Sequence, residues 1–264
     1  MKEIRMETTD EPLVSTTLDD VLVLRFNRPE RRNAWNHELA RSYADQLCRA
    51  DADPSVRAIV VSGVGTAFCA GADLTSVGTD IDATTLPFLW NVESALRVRK
   101  PMVAAINGAA VGLGLVQALY CDVRFCVPEA KLSTAFARRG FVAEFGMASL
   151  LTSMVGQGRA TDWLLSGRVI SGADAYAAGL VNFLASPDDV LDSAISYARD
   201  LAANCSPRAM AVIKDQIRRE SRLEFWQALQ HAEKLQLESL DTADVTEGFR
   251  AFAEKRVAEY EPLS

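Results

Sequence analysis

The chain has 264 residues, 49% of them hydrophobic and 24% charged, with a formal net charge of −7. It is long enough to bury a sizeable core, either as one large domain or as a domain with an appendage. The acidic balance excludes a surface selected to grip nucleic acid or an anionic membrane, although it says nothing against a local basic pocket for a phosphorylated ligand.

Residues 1–12 are acidic and polar, without the apolar centre of a secretory signal. Val21–Phe26 reads as a strand ended by Asn27-Arg28-Pro29, and residues 36–50 carry helical spacing through Leu39, Tyr43 and Leu47. Residues 57–62 read as a second strand, stopped by Gly63 and Gly65. The small, polar stretch 75–85 reads as a mobile loop. Lys100-Pro101 opens the apolar strand Met102–Ile106, which Asn107-Gly108 turns; residues 122–127 and 131–134 read as two more strands. Strands alternating with helices predict a largely buried sheet with helices packed around it, an α/β architecture.

From Pro207 onward helix formers dominate, in the stretches 209–219, 221–239 and 244–259. A boundary near residues 204–207 divides the chain into a core, 1–205, and a helical region, 206–264. Phe225, Trp226, Leu229, Leu235 and Leu237 exceed what a small helical hairpin buries, so this region is expected to pack on the parent domain or on a neighbouring subunit.

The longest apolar runs, Met102–Ile106 and residues 112–116, are far too short to span a bilayer. Five cysteines (Cys48, Cys69, Cys121, Cys126, Cys205) form no C-x-x-C pair, and read as reduced thiols rather than a disulfide framework or zinc site. His37 and His231 are the only histidines, each in a charged helical context, so neither a histidine triad nor a histidine-rich metal site is expected. The cytoplasm is the expected compartment.

Two segments carry chemistry. Ala67-Phe68-Cys69-Ala70-Gly71-Ala72-Asp73-Leu74 follows a strand, and the small residues around Gly71 let the backbone turn sharply and approach a ligand; a plain strand-to-helix turn explains them equally well. Asn107-Gly108-Ala109-Ala110-Val111-Gly112-Leu113-Gly114-Leu115 is a glycine-spaced turn feeding a helix, without the Lys-Ser/Thr ending or third glycine of a phosphate loop. Its specific content is a helix start whose N–H groups face whatever sits above it. Two such donors from separate turns, converging on one point, form an oxyanion hole. A thioester suits one, because its enolate places charge on the carbonyl oxygen.

Several further segments carry a resemblance: Asn27-Arg28-Pro29-Glu30-Arg31-Arg32-Asn33-Ala34, Lys100-Pro101-Met102-Val103-Ala104-Ala105-Ile106-Asn107-Gly108, Cys121-Asp122, residues 166–175, Ala178-Gly179-Leu180-Val181, Glu247-Gly248-Phe249 and Glu254-Lys255-Arg256. In order and spacing, with Phe68–Leu74, they resemble the crotonase (enoyl-CoA hydratase/isomerase) family from about residue 20 to the end. The resemblance implies a spiral of β-β-α units and a C-terminal helical region used in trimerisation, often as a dimer of trimers. It implies oxyanion donors at Ala72 and Leu113, the leucine standing where the family usually has glycine and narrowing the space there. It places coenzyme A along Arg31, Ala70, Ala72, Asp73 and Leu74, with Lys255 and Tyr260, of the same or a neighbouring subunit, closing over the nucleotide end. For Arg31, Arg32 and Lys255 a solvated surface charge is the competing reading. No cofactor is expected beyond the coenzyme A of the substrate itself, and no nucleic-acid or membrane partner.

Hydration of a 2-enoyl-CoA uses two carboxylates, one to activate water and one to protonate C2. Matched to the family's hydratases, those positions hold Val116 and Phe136, and neither can move a proton. Glu144 remains, in Gly140-Phe141-Val142-Ala143-Glu144-Phe145-Gly146-Met147. It reads either as an acid favouring the dipole of the helix that follows or as a general base whose pKa its apolar neighbours raise. By resemblance it stands where the peroxisomal type of Δ3,Δ2-enoyl-CoA isomerase carries its glutamate, and where dienoyl-CoA and ring-opening isomerases carry aspartate. One base suits a 1,3-proton shift, so an enoyl-CoA isomerase is the expected activity, in a pocket lined by Val116, Phe136, Phe141 and either Leu86 or Trp90. The alternatives are a hydratase run by Glu144 with a water and another group such as Asp73, Asp80 or Asp82, and a non-catalytic acyl-CoA-binding protein.

Overall fold

The computed structural model describes residues 11–73 and 91–263. An antiparallel pair opens it: β1 (Leu13–Leu18), which after a buried Leu13 alternates between half-buried and exposed residues, and β2 (Val21–Phe26), buried almost throughout. That contrast marks β1 as an edge and β2 as interior. α1 (His37–Ala52) begins where the Asn36 side chain accepts from the Leu39 amide at 2.9 Å, satisfying a donor that has no partner inside the helix. It buries Leu39, Ala40, Tyr43, Leu47 and Ala50 against the sheet.

The chain then repeats one unit. β3 (Ala58–Gly63), β5 (Met102–Ile106) and β7 (Val123–Cys126) enter a six-stranded sheet of order β1-β2-β3-β5-β7-β10. The strand after each of them, β4 (Ala67–Cys69), β6 (Ala109–Val111) and β8 (Lys131–Ser133), enters a second sheet of order β4-β6-β8-β9. A helix follows the later pairs: α2 (Leu113–Tyr120) after β6, and α3 (Met147–Ser166) after β8. The chain is thus an α/β spiral of β-β-α units. β9 (Ile170–Ser171) pairs antiparallel with β8, and β10 (Phe183–Leu184) runs parallel to β7. β3 and β5 are apolar and fully buried, as parallel strands covered on both faces must be.

α4 (Gly172–Ala177) carries a capping box at Ser171 and Asp174, and α5 (Val190–Asn204) packs on β2, β3, β5 and β7. α6 (Pro207–Glu220), α7 (Phe225–Leu240) and α8 (Ala243–Glu254) follow. α6 is pinned to the sheet by the Lys214 ammonium, which donates to the Lys100 carbonyl at 2.8 Å and pairs with Asp122 at 2.7 Å. α7 has no fully buried residue, and Phe225, Trp226, Phe249 and Phe252 are 70–85% exposed. α8 stops at Glu254 instead of 259, because Lys255 turns left-handed (φ 55°) and Arg256 folds back onto Glu247.

All five cysteines are free, and burial pushes the thiols of Cys69, Cys121 and Cys126 up to about 12. They are small core groups, poor as nucleophiles. Among the described residues no helix is long and apolar enough to cross a membrane.

Candidate active site

β4, β6 and β8 are neighbouring parallel strands, so their carboxyl ends lie side by side. In α/β sheets that edge is where ligands bind. β4 runs into Gly71, Ala72 and Asp73; β6 into Gly112 and Leu113; β8 into residues 134–136 and then the stretch 141–146.

An isolated parallel bridge joins Ala72 to Trp35. Its bonds run from the Trp35 amide to the Gly71 carbonyl (2.7 Å) and from the Asp73 amide to the Trp35 carbonyl (2.9 Å), which turns the N–H of Ala72 to the opposite side. Trp35 is fully buried, edge-on to Phe26 at 5.6 Å and to Tyr43 at 5.7 Å, with Phe68 at 5.4 Å from Phe26. Each such aromatic pair contributes about 0.5–1.5 kcal/mol beyond area burial, so the bridge rests on a rigid base.

Leu113 is the first residue of α2, and its N–H is among those without an intrahelical acceptor. Gly112 anchors the turn, donating to the Ser133 carbonyl at 2.9 Å. A methyl group on Gly114 would sit 2.0 Å from the Cys69 carbonyl oxygen, so only glycine lets the first turn of α2 lie against the end of β4. The turns bearing Ala72 and Leu113 are therefore in contact.

The segment before α1 is cinched against the same edge by residues for which sequence reasoning names no role. Arg28 pairs with Asp73 at 2.8 Å and donates to the Ala34 carbonyl at 2.5 Å. Asn33, fully buried at φ 56°, donates to the carbonyls of Val64 (2.9 Å) and Ala67 (2.8 Å) and accepts from the Arg28 amide. Asn107 ties the β3 and β5 turns together, donating to Gly63 and Gly65. All three lie in quoted motifs, and the signal available was polar side chains placed next to strand ends.

Arg31 is exposed, and the carbonyl of Arg32 accepts from the Ala70 amide at 3.0 Å, so this turn lies beside Ala70 and Ala72. The carboxylate of Asp73 is 6% exposed and engaged by Arg28, and its amide is taken by the Trp35 carbonyl. Val116 is fully buried and Phe136 6% exposed, with Phe141 half-buried on the core. Leu74, Asp80, Asp82, Leu86, Trp90 and the stretch 75–85 lie outside the described residues. Lys255 is the exposed residue that caps the end of α8. The Tyr260 carbonyl accepts from Arg57 at 2.8 Å, just before the start of β3, and its side chain lines a cavity of 860 Å³ between α6, α7 and α8.

Glu144 precedes α3 without belonging to it. The helix begins at Met147 after a Gly146 cap, and its first turn contains no acid. The Glu144 carbonyl accepts from the Met147 amide at 2.9 Å, and Phe145 and Gly146 both take positive φ, 54° and 69°. Glu144 is half-buried in a stretch whose Phe141, Ala143 and Phe145 pack on the core, and burial raises its pKa above the ordinary glutamate value, with no charged partner contributing. A carboxyl group so poised can both accept and return a proton. Among the described residues no group of three or more His, Cys, Asp or Glu side chains is arranged to hold a metal.

Known proteins share this fold. Residues 16–262 match the family model described as enoyl-CoA hydratase/isomerase. A probable enoyl-CoA hydratase of Rhizobium meliloti (strain 1021) is 35% identical over 252 residues, covering 95% of this chain and 98% of its own. The 2,3-dehydroadipyl-CoA hydratase of Escherichia coli (strain K12) is 32% identical, over 94% of this chain and 98% of its own. A crystal structure of enoyl-CoA hydratase from Bacillus anthracis superposes with a TM-score of 0.89 at 26% identity, over 95% of this chain and 99% of its own. A match over nearly the whole length, on a spiral whose strand ends carry the two amide-bearing turns, leads to one assignment: the chain belongs to the enoyl-CoA hydratase/isomerase family.

Proposed function

We propose that the protein is an enoyl-CoA isomerase, moving the double bond of a 3-enoyl-CoA to the 2-position. The observation that carries this reading is the state of Glu144, a half-buried carboxyl group with a raised pKa, while Val116 and Phe136 are apolar and buried where the family's hydratases carry carboxylates. Glu144 takes a proton from C2, and the electron pair moves into a dienolate whose oxygen is held by the N–H groups of Ala72 and Leu113. The same carboxyl group delivers the proton to C4, so no atom is gained or lost. Apolar walls at Val116, Phe136 and Phe141 keep water from competing.

The reading includes coenzyme A along Arg31, Ala70, Ala72, Asp73 and Leu74, and no cofactor beyond the substrate's own. It includes a cytoplasmic homotrimer or dimer of trimers built through residues 206–264, in which Lys255 and Tyr260 of a neighbouring subunit reach the nucleotide. The exposed aromatic residues of α7 and α8 support such packing.

A second reading, water addition to a 2-enoyl-CoA, is favoured by the names of the relatives, which are hydratases. One assay separates them: pure protein with 3-enoyl-CoA and with 2-enoyl-CoA, following double-bond position and water addition together. Isomerisation that Glu144→Gln abolishes supports the proposal. Hydration that survives Glu144→Gln refutes it, and binding without turnover points to an acyl-CoA-binding protein.

A further inference from the structure

α2 touches both halves of the proposed site. Its first residue, Leu113, supplies one amide; its last, Tyr120, is 3% exposed and donates its hydroxyl to the Phe145 carbonyl at 2.8 Å. One short, rigid helix thus reaches the turn that carries Glu144, with its two ends about 10 Å apart along the axis. That turn needs an outside hold. Phe145 is a non-glycine residue in the left-handed region, followed by Gly146 in the same region, and such backbone persists only where its surroundings fix it.

We propose that Tyr120 is a positioning residue, whose hydroxyl fixes the Glu144 turn relative to the Leu113 amide. This rests on the reading of Glu144 as the base. Burial pushes the Tyr120 hydroxyl up to about 12, so it stays a donor throughout the neutral range. Phenylalanine at 120 would keep the packing and remove only the tether. Tyr43 supplies the control: it is 1% exposed, and its hydroxyl has no hydrogen-bond partner among the described residues.

The test compares wild type, Tyr120→Phe, Tyr43→Phe and Glu144→Gln as full-length proteins, measuring kcat, KM and the pH profile of 3-enoyl-CoA isomerisation. Tyr120→Phe should lower kcat on the order of tenfold with KM nearly unchanged, because base misplacement costs rate rather than binding. It should also move the acidic limb of kcat to lower pH, as the loosened turn lets water reach Glu144. Tyr43→Phe should match wild type. If Tyr120→Phe folds poorly, Gly146→Ala disturbs the same turn with nothing within 4 Å of the added methyl group, and should give the same kcat-selective loss. An active wild type with Tyr120→Phe unchanged in kcat and pH profile overturns this inference alone. A wild type that does not isomerise removes the reading of Glu144 and this inference with it.

Discussion

Gly71 and Leu113 are so close that a methyl group on Gly71 would lie 3.8 Å from the Leu113 amide nitrogen and 2.7 Å from the Val111 carbonyl oxygen. Forty-two positions apart in sequence, they meet because β4 and β6 are adjacent parallel strands.

Gly71→Ala should therefore disable the site before it unfolds the protein. At φ +96° alanine is strained, and its methyl group, 2.7 Å from the Val111 carbonyl oxygen, drives the 71–72 turn away from the end of β6. The expected loss is about 1–3 kcal/mol of stability, with turnover reduced on the order of a hundredfold. Thermal unfolding alongside steady-state kinetics checks both. Wild-type turnover in this variant would separate the Gly71 turn from the chemistry.

Arg28→Lys should destabilise more than a charge-conserving change ordinarily does. The guanidinium reaches Asp73 and the Ala34 carbonyl at once, and a lysine can serve only one of them. With Asp73 6% exposed, loosening the pair should cost about 2–3 kcal/mol in urea unfolding. Asp73→Asn should give a similar loss, and the double variant less than the sum.

The C-terminal tail should detach in acid. Glu247 is held down to about 2 by Arg256, with the Glu259 amide at 2.9 Å adding to the hold. A lowered carboxylate pKa contributes stability that is present above the unfolded value and lost as pH falls through the folded one. Protection of the amides of residues 255–263 against exchange should thus fall between about 4.5, the ordinary glutamate value, and about 2. Arg256→Gln should produce the same loss of protection at neutral pH.

Turnover should weaken in acid well before the fold does. Desolvation raises the pKa of Glu144, so its ionised, proton-accepting form is lost as pH falls through a value above the usual glutamate one. The acidic limb of kcat should lie above the ordinary glutamate value, and Glu144→Gln should abolish both the limb and most of the rate.

Much of the spiral is legible in one dimension. Val21–Phe26 and Met102–Ile106 are strands to the residue, since buried parallel strands are short apolar runs bounded by turn residues. β1 is not, because Leu13–Leu18 is half polar and becomes a strand only by pairing with β2. The strands β4 and β6 have three residues each, too few for any period, and α5 goes unremarked despite its packing on the large sheet. At the site, the glycine turns and Glu144 are visible as motifs. Arg28 with Asp73, and Tyr120 with Phe145, join positions 45 and 25 apart, and such pairings are products of the fold.

The central claim, one carboxyl group carrying a proton from C2 to C4 above an oxygen held by two amides, is tested most directly by isotope transfer. A 3-enoyl-CoA deuterated at C2 is incubated with the protein in ordinary water, and the product's label is located. The account predicts a 2-enoyl-CoA with part of the deuterium at C4, and loss of both rearrangement and transfer in Glu144→Gln. A 3-hydroxyacyl-CoA product, or undiminished rearrangement in Glu144→Gln, would contradict it.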